Sequence, residues 1–129
     1  MEYLDPEVVV TQLTRLGFVV REPGLLGAAL ARPETRLFGA DVYPEIETKI
    51  AALMDSLVNS HPLIDGNKRS SWLIGNLFAE LNGFEIVAST EDAFSFILSI
   101  AAGSGDVAGI ALWLRHHLVP VSSPQNPEL

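Results

Sequence analysis

A chain of 129 residues that is 48% hydrophobic and 19% charged is long enough to bury one core and too apolar to be disordered. Sixteen acidic against eight basic side chains give a net charge of -8, which argues against broad nucleic-acid binding because that needs a basic footprint. The absence of cysteine excludes disulfides, thiolate zinc sites and a cysteine nucleophile. No apolar run approaches the roughly 20 residues of a membrane span, and Met1-Glu2-Tyr3-Leu4-Asp5 does not open a signal peptide. A cytoplasmic protein with no membrane partner is expected.

Helical periodicity dominates. Asp5-Pro6-Glu7 reads as a first helix start, with Asp5 as cap, Pro6 in the first turn and Gly17 as the stop. A second helix runs from Pro23 to Arg32, closed by Pro33. Glu34 to Tyr43, with Gly39 inside, reads as an irregular connection of about ten residues, longer than bundle helices usually need and for that reason a candidate functional loop. Pro44 opens a third helix with Ile46, Ile50, Leu53 and Leu57 on one stripe and Glu45, Glu47 and Lys49 outside it. After a loop at 61–69, a fourth helix from Ser70 to Leu81 carries Leu73, Ile74, Leu77, Phe78 and Leu81. Apolar residues on so much of its circumference predict the central, most buried helix, ending at Asn82-Gly83.

Phe84 to Ala88 reads as a short strand or an extended linker. A fifth helix follows the Ser89-Thr90-Glu91-Asp92 start, with Phe94, Ile97, Leu98 and Ala101 inward. Gly103-Ser104-Gly105 breaks it, and Asp106 caps a sixth, packed by Ile110, Trp113 and Leu114. The expected fold is all-α: a compact six-helix bundle forming one domain over residues 1–119, with a flexible tail over 120–129 and the loop at the N-terminus of the central helix.

That loop, His61-Pro62-Leu63-Ile64-Asp65-Gly66-Asn67-Lys68-Arg69, carries the chemistry. Gly66 and Asn67 form a turn at a helix start, whose N–H groups and positive dipole end face an anion. Lys68 and Arg69 add charge and directional donors. Asp65 can hold Mg²⁺, which usually binds through one or two carboxylates plus phosphate oxygens. His61, on the other side of the turn, carries an imidazole that can take a proton from an incoming hydroxyl. Each group alone has a blander reading: a helix C-cap, an ordinary turn, a solvated cation pair. Two cations at a helix N-terminus oppose the dipole by about 0.3–1 kcal/mol, and that tips the balance toward an anion site. The glycine-lysine pattern of a P-loop is absent, and the element before the loop reads as helix.

Outside the loop, Trp72 and Trp113 read as core or groove residues. His116-His117 reads as dipole-friendly capping rather than metal ligation. Arg21, Arg32 and Arg36 read as surface ion pairs, with substrate contact as the alternative.

The nine residues resemble the H-P-F-x-x-G-N-K-R signature of the Doc branch of the Fic/Doc family, toxins of toxin–antitoxin modules. Arg21-Glu22-Pro23-Gly24-Leu25-Leu26, Ala29-Leu30-Ala31-Arg32-Pro33 and Leu81-Asn82-Gly83-Phe84 resemble blocks flanking that signature, so the likeness covers about residues 4–118. The resemblance implies His61 as the catalytic base, Asp65 as the metal-associated acid, and Gly66, Asn67, Lys68 and Arg69 as the phosphate-binding turn. Leu63 stands where the family usually has Phe. Where the AMP-transferring branch has Gly, this chain has Lys68; where that branch has a second Arg, it has Trp72. The implied activity is transfer of the γ-phosphate of ATP or another nucleoside triphosphate, with Mg²⁺, to a Ser or Thr of a protein. Elongation factor Tu is the implied target, translation is blocked, and a small antitoxin is the partner. AMP transfer and a non-catalytic nucleotide-sensing or docking module are the alternatives. The family also implies a flap over the His61 side of the pocket, here Leu37, Phe38 and Gly39, that selects the protein substrate; a packed connector whose Leu37 and Phe38 fill the core is the alternative. An antitoxin groove is expected between the second and third helices.

Overall fold

Asp5 starts the first helix, α1 (Pro6–Arg15), by accepting the Glu7 N–H at 2.9 Å. The computed structural model describes residues 1–103 and 106–121. Next come α2 (Pro23–Ala31), a 3-10 turn (Arg32–Glu34), and a hairpin of β1 (Arg36–Leu37) and β2 (Ala40–Asp41). Then follow α3 (Ile46–Ser60), α4 (Asn67–Leu81), β3 (Phe84–Ile86), α5 (Thr90–Ala101), α6 (Val107–Arg115) and β4 (Leu118–Pro120). The predicted caps hold: Ser89 accepts from the Asp92 N–H and Asp106 from the Gly109 N–H.

The axis of the bundle is α3, not α4. Ile50, Ala51, Ala52, Leu53 and Met54 are fully buried, and α2, α4, α5 and α6 all pack on this helix. Two consecutive alanines let neighbours close in from several sides. Helix α4 joins through Ile74, Gly75, Phe78 and Ala79, and a Cβ on Gly75 would lie 2.9 Å from the Met54 sulfur. Its Leu73, Leu77 and Leu81 remain 40–45% exposed, so the circumference that suggested full burial is only half used.

Lys49, expected outside the α3 stripe, is buried because this helix has packing partners around nearly its whole circumference. Its Nζ donates to Pro33 O at 3.2 Å and pairs with Asp41 Oδ2 at 3.3 Å, over the face of Tyr3. The expected irregular connection is the β1–β2 hairpin, turned by Phe38 (φ 51) and Gly39 (φ 80), the double positive φ of a two-residue hairpin loop.

Strand β3 pairs antiparallel with β4, placing Phe84 opposite Pro120 and Ile86 opposite Leu118. Pro120, where the tail was expected to begin, therefore closes a strand; residues 122–129 of that tail lie outside the described residues. Both ends of the described chain meet one corner. Glu2 N–H donates to Asn82 Oδ1 at 2.8 Å, Asn82 Nδ2 returns a bond to Glu2 O at 2.9 Å, and Val121 N–H donates to Gly83 O at 2.9 Å. Among the described residues no helix is long and apolar enough to cross a membrane.

Candidate active site

Helix α3 stops because His61 enters the left-handed region (φ 54, ψ 57) and Pro62 follows. The loop is then laced to the segment before α2. Arg21 and Glu22 both donate their N–H to Pro62 O, at 2.9 and 3.0 Å, and Ile64 N–H donates to Val19 O at 3.0 Å. Arg21 Nη2 donates to His61 O at 2.8 Å. Leu63, at 1% exposure, seats the loop in the core despite being smaller than Phe.

The Asn67 amide clamps Leu63 from both sides, accepting its N–H at 2.9 Å and donating to its C=O at 3.1 Å. The Asn67 side chain is thus committed to the loop, where a phosphate contact was expected of it. Asp65 Oδ1 accepts the Gly66 N–H at 2.8 Å, so that N–H serves the loop itself. Gly66 sits at φ 79, and a Cβ there would lie 2.6 Å from Phe18 Cε1. Phe18 also meets a cation: the Arg69 guanidinium lies 4.8 Å from its ring centre. As the first residues of α4, Asn67, Lys68 and Arg69 present N–H groups with no helical acceptor.

His61, Asp65, Gly66, Asn67, Lys68 and Arg69 line a single cavity of about 790 Å³. Its opposite wall is α5, through Ala93, Phe94, Ile97 and Leu98, with Ser89, Thr90 and Trp72 also on the lining. One end is cationic and rich in donors, the other apolar, and the size suits a drug-sized or nucleotide-sized ligand. Lys68 makes no ion pair among the described residues, so its charge is uncommitted. A second cavity of about 410 Å³ lies between α5 and α6 and contains none of the loop residues.

Phe94 and Leu98, expected to point into the core, are 65% and 41% exposed because they form the cavity wall. An apolar pair four residues apart on a helix looks the same whether it faces core or cleft. The apolar wall of the cavity beside the loop is formed by the end of α3 and by α5, whereas α2, which buries Leu26, Ala29 and Leu30, does not line it. Leu37, Phe38 and Gly39 do not line the cavity. Their hairpin is moored by Asp41 to Lys49, twelve residues before His61, or about 18 Å along α3 at 1.5 Å per residue.

The remaining polar residues sort by contact. Arg32 is no loose surface pair: it reaches Asp55 at 2.8 Å, Ser56 Oγ at 2.9 Å, Ala52 O at 3.2 Å and the Tyr43 hydroxyl at 3.1 Å. Burial works against its charge, but the hydrogen bonds to Asp55 and Tyr43 outweigh burial and hold its pKa above the usual value. Arg36 stays within the hairpin, bonded to Asp41 and to Gly39 O. His116 and His117 cap α6 through Leu112 O and Trp113 O, as expected. Trp113 stacks on Phe96, with Trp72 edge-on to both. Phe18 and Arg21, which support the loop from behind, and Phe94, which lines the cavity, are residues that sequence reasoning missed or misplaced.

No group of three or more His, Asp or Glu side chains forms a metal cage among the described residues. Asp65 nevertheless fits a Mg²⁺ held mainly by phosphate oxygens. It lines the cavity beside the α4 N-terminus, and its hydrogen bond to the Gly66 N–H uses Oδ1, with Oδ2 on the same carboxylate as the second donor.

Residues 6–79, which include the entire loop, match the Fic/DOC family. The chain is also 39% identical over 116 residues to the protein named Toxin Doc from Mycolicibacterium smegmatis, covering 85% of this chain and 88% of that protein.

Proposed function

This chain belongs to the Fic/DOC family, and from that premise we propose that it is a toxin that phosphorylates a protein hydroxyl. The observation that carries the reading is the make-up of one cavity. It holds His61, Asp65 and the α4 N-terminus with Lys68, while Trp72 occupies the place of the second arginine of AMP-transferring members.

In this reading the phosphates of a nucleoside triphosphate, ATP being the simplest, lie against the N–H groups of Asn67, Lys68 and Arg69, with both cations beside them. Asp65 is the residue that would hold Mg²⁺, whose contribution when bound is to neutralise phosphate charge. His61 accepts the proton of a Ser or Thr hydroxyl as its oxygen bonds to the γ-phosphorus. The bond from that phosphorus to the β-phosphate oxygen breaks, leaving a phosphoprotein and a nucleoside diphosphate. The apolar wall of α5 takes the uncharged part of the nucleotide. A small antitoxin as partner, a cytoplasmic site of action and elongation factor Tu as target complete the proposal. The last rests on family resemblance, the first on the name of the relative as well.

The test uses γ-labelled and α-labelled ATP with purified elongation factor Tu and a bacterial extract, beside growth of a host expressing the protein. We expect label from the γ position only, growth arrest by the wild type, and a loss of turnover of about 10²–10⁴-fold in His61→Ala. Label from the α position would reverse the chemistry to AMP transfer. Equal arrest by wild type and His61→Ala would remove acid–base catalysis from the account.

A further inference from the structure

We propose that Arg21 is a positioning residue that sets the aim of the His61 imidazole; the inference rests on the reading of His61 as general base. His61 and Phe38 are the two non-glycine residues with positive φ among the described residues. For His61 the conformation is doubly disfavoured, since its Cβ opposes the left-handed region and the proline that follows biases it toward extended backbone. Some contact must hold it there. Arg21 supplies two: its guanidinium donates to His61 O at 2.8 Å and its own N–H donates to Pro62 O at 2.9 Å, so one residue grips two successive carbonyls.

The guanidinium also sits where α3 ends, at the negative pole of the helix, which strengthens a charge-assisted bond to a terminal carbonyl. Arg21 pairs with no carboxylate among the described residues and does not line the cavity. It therefore does not touch a ligand there, and its effect on chemistry passes through His61. Fixing φ and ψ of His61 fixes the direction of its Cα–Cβ bond and hence the space its ring can sweep. A base displaced by about 1 Å loses roughly 10²-fold in rate while substrate binding is untouched.

The experiment compares the full-length wild type with Arg21→Gln and Arg21→Lys by nuclear magnetic resonance of the histidine rings and by steady-state kinetics. Three histidines give three ring signals; His61→Ala identifies the relevant one, and His116 and His117 serve as references in the same spectrum. In Arg21→Gln we expect the His61 signals to broaden or split while those of His116 and His117 stay in place. We also expect kcat to fall about 10- to 100-fold with the nucleotide KM within about twofold. Arg21→Lys, with a charge but no planar fork, recovers part of the loss. If Arg21→Gln does not fold, Arg21→Lys decides by the same signals. His61 signals superimposable on wild type, or all three histidines shifting together with a lost melting transition, would overturn the proposal. A wild type with no transferase activity would instead sink the functional reading, and the spectra would still decide whether Arg21 orients His61.

Discussion

Gly66 shows how tightly a single residue can be specified by its surroundings. It combines positive φ with a Phe18 ring lying where a Cβ would go, at 2.6 Å, and Phe18 in turn supports Arg69. Gly66→Ala must therefore move Phe18 and distort the start of α4 together. We expect a loss of about 1–3 kcal/mol in thermal or urea unfolding and at least a tenfold loss of Mg²⁺-nucleotide affinity by calorimetry. Gly27 is the control: it lies inside α2, where an added methyl group would have no atom within 4 Å and φ is ordinary for a helix. Gly27→Ala should raise stability by about 0.4–1 kcal/mol and leave binding alone. The grouping of the loop residues on one cavity was legible in the sequence because they are neighbours in the chain, so one turn and one helix start suffice to bring them together. Phe18 and Arg21 are joined to it only by long-range packing and main-chain pairing, which no local pattern announces. Asn67 was legible as a turn residue, yet its side chain closes the loop on Leu63 where a ligand contact was expected.

At the scale of elements the hairpin is the departure. Its turn is Phe-Gly, not the Asn-Gly that marks such a loop, and its strands are two residues long, so neither alternation nor turn chemistry revealed it. Phe38 is 98% exposed and Leu37 60%, which removes the possibility that they fill the core. Holding an aromatic side chain in water at positive φ stabilises nothing within the chain, and we propose that it is retained for contact with the protein substrate. Replacing Leu37 and Phe38 with Ser should leave the melting temperature within a few degrees and nucleotide affinity unchanged, while lowering modification of the protein target. A large drop in melting temperature would contradict the exposure of both side chains. Undiminished target modification would end the substrate-selection role. The contrast between α3 and α4 has a related cause. Both helices carry broad apolar faces, and only the assembled bundle decides which one receives neighbours on every side.

For the molecule as a whole, helix number, order and caps were legible from 3.6-residue periodicity and from Asp5, Ser89 and Asp106, because those signals are local. The β3–β4 pairing was not, since it joins segments more than thirty residues apart. An acidic body of net charge -8 around a cationic cavity should also discriminate by ligand size. We expect saturable binding of nucleoside triphosphate but no shift in fluorescence anisotropy of a labelled oligonucleotide of about 20 nucleotides at physiological salt. Finally, the meeting of Glu2 and Val121 at Asn82-Gly83 makes the architecture a non-covalent ring, and a ring has no privileged starting point. A circular permutant that joins residues 2 and 121 through a short glycine-serine linker, and opens instead between Phe38 and Gly39, should preserve the helix packing, because the new break falls in an exposed turn. Such a rearranged chain should show the parent's circular dichroism and a single cooperative melt. The corner that now fastens the two ends would thereby become an ordinary loop.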